Sequence, residues 1–123
     1  MKSPHTGIKR IIKAFTYSYD GLTASFQSEA AFRQDILFCL IMGLLLFFLP
    51  VHGLETVLML FSLLFILFAE LVNTALETIV DRVGADYHIL SKKAKDIGSL
   101  LVLMAFIQWA MIWGWILIPK FLL

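Results

Sequence analysis

From Ile97 to Ile118 the chain runs for twenty-two residues without a charge. That is enough to carry a helix across about 30 Å of hydrocarbon. Lipid offers no water to backbone N–H and C=O groups, so a single crossing segment must satisfy them internally as a helix. Two other stretches read the same way. The apolar run Ile36 to Leu49 is too short alone and extends back to Ala30, while a second run goes from Leu54 to about Val80. With 60% hydrophobic residues, the chain lies well above the composition of a soluble domain. The expected fold is an all-α membrane protein.

Ahead of these runs, Ile8, Ile11, Ile12, Phe15, Tyr19, Leu22 and Phe26 recur at helical spacing, with Lys9, Arg10, Lys13, Tyr17 and Asp20 largely between them. Basic residues opposite aromatics and isoleucines suit a helix lying in the plane of an anionic membrane surface. The expected arrangement is a single membrane-embedded domain over residues 1–123, with a surface helix at about 6–27 and transmembrane helices at about 30–49, 54–82 and 92–118. Pro50 and Gly53 mark a tight turn between the first two spans. Ser91 is the expected cap of the third. Trp109, Trp113 and Trp115 gather toward its far end, as in an interfacial aromatic belt.

Charge sets the expected orientation. Lys2, Lys9, Arg10, Lys13 and Arg33 precede or open the first span, and Arg82, Lys92, Lys93 and Lys95 follow the second. Past the third span stands only Lys120. The excess of lysine and arginine places the N-terminus and second loop in the cytoplasm. A net charge of +1 gives no argument for nucleic acid as a partner. The lone Cys39 excludes an intrachain disulfide and a cysteine-based metal cluster. His5, His52 and His88 stand in different segments without ligand spacing, and no GxxxxGK[ST] loop is present.

The second span carries the unusual chemistry. After fourteen residues from Thr56 to Ala69 with nothing more polar than threonine and serine, the chain reads ELVNTALETIVD from Glu70 to Asp81. At helical spacing Glu70, Asn73, Thr74, Glu77 and Asp81 fall within an arc of roughly 100°. With this helix running inward, Glu77 and Asp81 lie near the cytoplasmic interface and Glu70 lies about 10 Å deeper than Glu77. Glu29, at the start of the first span, lies at a comparable level. Acids at membrane depth are costly, and a functional role is their ordinary explanation.

Glu29, Glu77 and Asn73 offer oxygen ligands of the kind magnesium takes, and magnesium commonly binds through one or two carboxylates together with substrate phosphates. Arg10, Lys95 and Asp96 sit at the same interface. Phosphoryl transfer chiefly needs metal, cations and a group to orient the attacking hydroxyl. Glu70, at the level of a lipid headgroup hydroxyl, is the natural base. Three other readings of the stripe stand beside catalysis: interhelical packing through Asn73 and Thr74, a proton path and a cation path.

The residues also resemble a known family, the small bacterial integral-membrane diacylglycerol kinases. The likeness runs from about Thr6 to Leu103: TG at Thr6, RIIKA from Arg10, YS at Tyr17, GL at Gly21, EAAFRQ from Glu29, E-x-x-N-x-A-x-E from Glu70 to Glu77, VDR-x-G from Val80, YH at Tyr87 and AKD-x-GS from Ala94 to Ser99. The resemblance implies a homotrimer in the bacterial inner membrane that transfers the γ-phosphate of ATP to sn-1,2-diacylglycerol, giving phosphatidic acid. It implies Glu70 as proton acceptor, and Glu29 and Glu77 as ligands of the Mg2+ that accompanies ATP. Nucleotide contacts implied in this way are Arg10, Tyr17, Glu29, Asn73, Glu77, Asp86, His88, Lys95 and Asp96. Lipid contacts implied are Arg10, Ala14, Tyr19, Ala31, Arg33, Asp35, Glu70, Ser99 and Trp113, the last of which becomes a wall of the lipid site.

Asp35 and Asp86 stand where glutamate is usual in that family, and Tyr19 where tryptophan is usual. A related branch, the undecaprenol kinases, shares the stripe and the AKD motif, whereas VDR-x-G and Gly98-Ser99 look more like the diacylglycerol branch. Three thin helices leave little room to enclose ATP, metal and lipid together, so the site is expected between subunits. A proton or cation translocator and a nonenzymatic membrane scaffold are the competing classes.

Overall fold

A computed structural model describes residues 6–123. Lys2 and His5, used above in the charge and histidine arguments, lie outside the described residues. Four α-helices follow one another: α1 Gly7–Ser28, α2 Ala30–Leu45, α3 Leu54–Val83 and α4 Ile89–Phe121. A 3-10 turn, Leu46–Phe48, closes α2. Among the described residues there is no strand. The segment Ala30–Phe48, α3 and α4 are each long and apolar enough to cross a membrane.

Local chemistry sets the breaks. Glu29 is extended, with φ −116° and ψ 106°, and its N–H bonds to Ser25 O at 2.9 Å, so α1 ends and α2 begins at one residue. Arg33 secures this joint: its Nη1 donates to Phe26 O at 2.6 Å and Gln27 O at 3.1 Å, meeting carbonyls that the end of α1 leaves without helical partners. Gly53, at φ +62° and ψ −128°, takes a positive-φ conformation that favours glycine and turns the chain into α3.

The third span starts earlier than expected. His88 is extended, and its Nδ1 accepts from Leu90 N at 3.1 Å, so His88 rather than Ser91 caps α4. An imidazole nitrogen can do this work when it is the unprotonated one. At the other end α4 continues through Pro119, whose missing N–H affects only the final turn, and Leu122 N bonds to Ile118 O at 2.9 Å. At 30 and 33 residues, α3 and α4 are about 45 and 50 Å long, more than a bilayer core requires. Their polar ends therefore have length to project beyond the hydrocarbon.

The packing centre is an antiparallel pair, α3 against α4, with α2 laid on α3. Contacts along the pair mark its register. Glu55 meets Lys120 at 3.2 Å at one end and Asp81 meets Lys95 at 2.8 Å at the other. Between them the Trp113 indole N–H donates to Ser62 Oγ at 3.0 Å, with Met59 O at 3.3 Å. Around it Leu46, Val51, Met59 and Leu63 form one buried cluster, and Ile66, Ala69 and Ala105 form another nearer the acids. Phe38 bridges to α4 edge-on against Trp109, with ring centroids 5.0 Å apart.

Most large apolar side chains, including Phe47, Phe61, Leu64, Phe68 and Met111, point outward. Hydrocarbon solvates such side chains, so helix association rests on close packing and hydrogen bonds instead of their burial. Of the three tryptophans, Trp115 is exposed as a belt residue would be, whereas Trp113 is buried. No residue of α1 is buried in the single chain.

Candidate active site

On α3 an apolar turn, Ile66 to Ala69, gives way to acids on the face that meets its neighbours. Ala69, Glu70 and Thr74 are buried, and Glu70 is only 5% exposed. From α2, Asp35 brings its carboxyl close to that of Glu70. Asn73, the next residue up the stripe, lies beside Glu70 and donates from Nδ2 to Glu77 Oε1 at 3.3 Å. A single carboxamide thus stands between the two glutamates of the stripe. Asp35 Oδ2, Asn73 Oδ1 and Thr74 Oγ1 are buried without a hydrogen-bond partner among the described residues. Buried polar atoms of this sort are normally satisfied, so the cluster has capacity for further polar contacts.

Above the stripe lies a second polar group. A cavity of about 410 Å3 is lined by Asp81, Asp86, His88, Lys92, Lys95 and Asp96. Lys95 bonds to Asp81 across the helix pair at 2.8 Å, and Lys92 to Asp96 along α4 at 2.6 Å. Both pairs are exposed, so their ions remain available to exchange partners. An apolar groove of about 520 Å3, lined by Leu58, Met111 and Trp115 among others, lies toward the opposite end of the helix pair and carries none of this chemistry.

The sequence-derived residues divide accordingly. Glu70, Asn73, Glu77 and Asp35 come together, as do Asp86, His88, Lys95 and Asp96. Glu29 stands at the α1–α2 joint, half-buried, its side chain making no capping bond. Arg10, Ala14, Tyr17 and Tyr19 are spread along α1 and exposed. Ala31 and Ser99 are exposed on α2 and α4, and Arg33 is engaged with α1. Trp113 pairs with the level of Ser62, about eight residues or ~12 Å along α3 from Glu70.

Two features of the site are not evident from spacing along the chain. Asp81 belongs to the stripe by its spacing, which does not reveal Lys95 as its partner. Gly98 stands in the AKD-x-GS motif, and a glycine inside a helix is itself a signal because it weakens the helix relative to alanine.

The residues present suit magnesium in one respect. Among the described residues, no three His, Cys, Asp or Glu side chains gather into a preformed metal cage. Magnesium accompanying a nucleotide does not need one, since phosphate oxygens and waters complete its shell. Glu77, held by Asn73, is a carboxylate of the required kind.

Fold and site together define a class: an all-helical, multi-pass membrane protein with a buried acidic stripe leading to an ion-lined cavity at one end of its helix pair. Comparison with known proteins narrows it. The family model for prokaryotic diacylglycerol kinase matches residues 16–117. A diacylglycerol kinase from Escherichia coli (strain K12) is 42% identical over 113 residues, covering 92% of this chain and 93% of the relative. One from Haemophilus influenzae is 41% identical over 112 residues, covering 91% and 95%, and one from Helicobacter pylori (strain ATCC 700392 / 26695) is 38% identical over 116 residues, covering 94% and 91%. The chain belongs to the prokaryotic diacylglycerol kinase family.

Proposed function

We propose that this protein is an ATP-dependent lipid kinase of the bacterial inner membrane, transferring the γ-phosphate of ATP to sn-1,2-diacylglycerol and releasing phosphatidic acid and ADP. The observation that carries the reading is the order along one face of α3. A buried glutamate, Glu70, lies beside Asn73, which donates to Glu77, and Glu77 leads to the cavity of Asp81, Lys95 and Asp96. A lipid hydroxyl approaches from the hydrocarbon side and a nucleotide from the aqueous side. This order fits a reaction whose two substrates never share a solvent.

In the reaction, the Glu70 carboxylate accepts the proton of the lipid hydroxyl as its oxygen bonds to the γ-phosphorus, and the bond from that phosphorus to the bridging oxygen of ADP breaks. Asp35 supports Glu70 from α2 and faces the lipid headgroup. Glu29 and Glu77 would hold Mg2+. Bound there, it would neutralise the charge of the phosphates during transfer. Lys95 exchanges its Asp81 partner for a phosphate, while Asp86, His88 and Asp96 line the nucleotide cavity. The remaining requirement is orientation and charge stabilisation, with no covalent intermediate on the protein.

Arg10, Tyr17 and the lipid-facing Ala14 and Tyr19 complete the site from α1, and Ala31, Arg33, Ser99 and Trp113 flank the path of the lipid. Assembly as a homotrimer, with the N-terminus cytoplasmic, gives α1 residues of one subunit access to the stripe of another. Purified protein incubated with γ-labelled ATP, Mg2+ and either diacylglycerol or undecaprenol tests the reading. Label in phosphatidic acid is expected. Preferential label in undecaprenyl phosphate would reassign the acceptor, and label in neither lipid would favour an ion-translocating role for the acids.

A further inference from the structure

On α3, Asn73 stands between two acids. Its Nδ2 donates to Glu77 Oε1 at 3.3 Å, and the same side chain lies beside Glu70. A carboxamide has two N–H donors on nitrogen and only acceptor lone pairs on oxygen. With nitrogen turned toward carboxylates, the oxygen must face elsewhere. Here it faces α4, where Asn73 Oδ1 is buried and accepts no hydrogen bond.

The residue it meets is Gly98, itself buried. A Cβ built on Gly98 would collide with Asn73 Oδ1 and stand 3.2 Å from its Cγ. None of the other six glycines has a neighbour so near: a Cβ meets Ile118 Cδ1 at 3.7 Å from Gly114 and nothing within 4 Å at the rest. The Gly98 hydrogen that a Cβ would replace therefore points at Oδ1, in the manner of the weak Cα–H···O contacts found at helix interfaces. The backbone is not the obstacle. Asn73 Cα would lie 3.5 Å from the added carbon, an ordinary van der Waals distance, so it is the carboxamide alone that must move to admit alanine at this position.

We propose that Gly98 is a positioning residue for nucleotide binding: by leaving room for the Asn73 oxygen, it keeps the Asn73 nitrogen on Glu77. The inference rests on the reading of Glu77 as a ligand of the metal that accompanies ATP. In Gly98→Ala, the carboxamide must rotate off α4, and its hydrogen bond to Glu77 goes with it. Glu77 then loses the contact that orients it.

A double-mutant cycle in detergent-solubilised protein tests this, with Mg-ATP affinity measured by titration calorimetry and stability by thermal unfolding. Gly98→Ala is expected to weaken Mg-ATP binding about tenfold or more, in the range typical of groups that orient a metal ligand. Asn73→Ala should weaken it similarly. The double variant should bind no more weakly than Asn73→Ala alone, because the added methyl then has nothing to displace. If Gly98→Ala does not fold, adding Asn73→Ala should restore the fold, and failure to do so overturns the proposal. Binding within twofold of the parent, or an equal loss in both backgrounds, overturns it as well. The parent protein's lipid phosphorylation, assayed alongside, reports separately on the kinase reading: intact Mg-ATP coupling between Gly98 and Asn73 without lipid transfer would overturn that reading alone.

Discussion

Asn73 donates to Glu77 Oε1 across 3.3 Å and lies beside Glu70 one turn away, so one carboxamide stands between the two glutamates on α3. Neither acid is oriented by a cation within the stripe. The two should nevertheless differ in function, because Glu77 is half-buried near the ion-lined cavity and Glu70 is enclosed between helices.

Glu77→Gln keeps the shape of the side chain and removes its charge. Mg-ATP affinity should fall about 10- to 100-fold, as for loss of a metal-orienting group, while folding remains intact. Titration calorimetry with and without Mg2+ measures this. An unchanged metal-dependent affinity would remove Glu77 from the metal site.

Trp113 and Ser62 hold the far half of the α3–α4 pair. Trp113→Phe keeps much of the aromatic packing but loses the N–H, and membrane hydrogen bonds of this kind contribute about 0.6 kcal/mol on average and up to about 1.7. Trp113→Ala should be far more damaging, by about 3–5 kcal/mol, because it also leaves a cavity among Leu46, Met59 and Leu63. Denaturant unfolding in micelles separates the two. Equal losses would mean that the hydrogen bond, and not the ring, holds the helices.

Lys95 and Asp81 form an exposed pair, and such pairs contribute about 0–1 kcal/mol. Lys95→Met should therefore leave thermal stability nearly unchanged while raising the KM for ATP. Asp81→Asn should be equally mild on stability. A large drop in unfolding temperature for either variant would show that the pair holds α3 to α4 instead of waiting for a phosphate.

Arg33 ties the end of α1 to the start of α2 through two carbonyls. Arg33→Gln should loosen that joint without disturbing α3 or α4. Hydrogen exchange is expected to quicken at amides from about residue 27 to residue 32. Unchanged exchange there would leave Arg33 without a structural role at the joint.

The helices were readable because lipid leaves a crossing backbone few alternatives: an uncharged run such as Ile97–Ile118 must be helical, and Pro50 with Gly53 must turn. The start of α4 was misread because serine is the commoner cap, whereas here the His88 imidazole takes the Leu90 N–H. The stripe was readable from the spacing of Glu70, Asn73 and Glu77. Its partners were harder to see, since contacts such as Asp35 with Glu70, Lys95 with Asp81 and Asn73 with Gly98 join helices far apart in sequence. Periodicity places a residue on a face of its own helix. It does not say which residue of the next helix stands opposite.

The most direct test of the account is transfer of label from γ-labelled ATP to diacylglycerol by Glu70→Gln, with Mg-ATP binding measured on the same preparation. Transfer should fall by at least about 10²-fold, as expected for loss of a general base, while Mg-ATP affinity stays near that of the parent protein. Near-parental transfer by Glu70→Gln would contradict it.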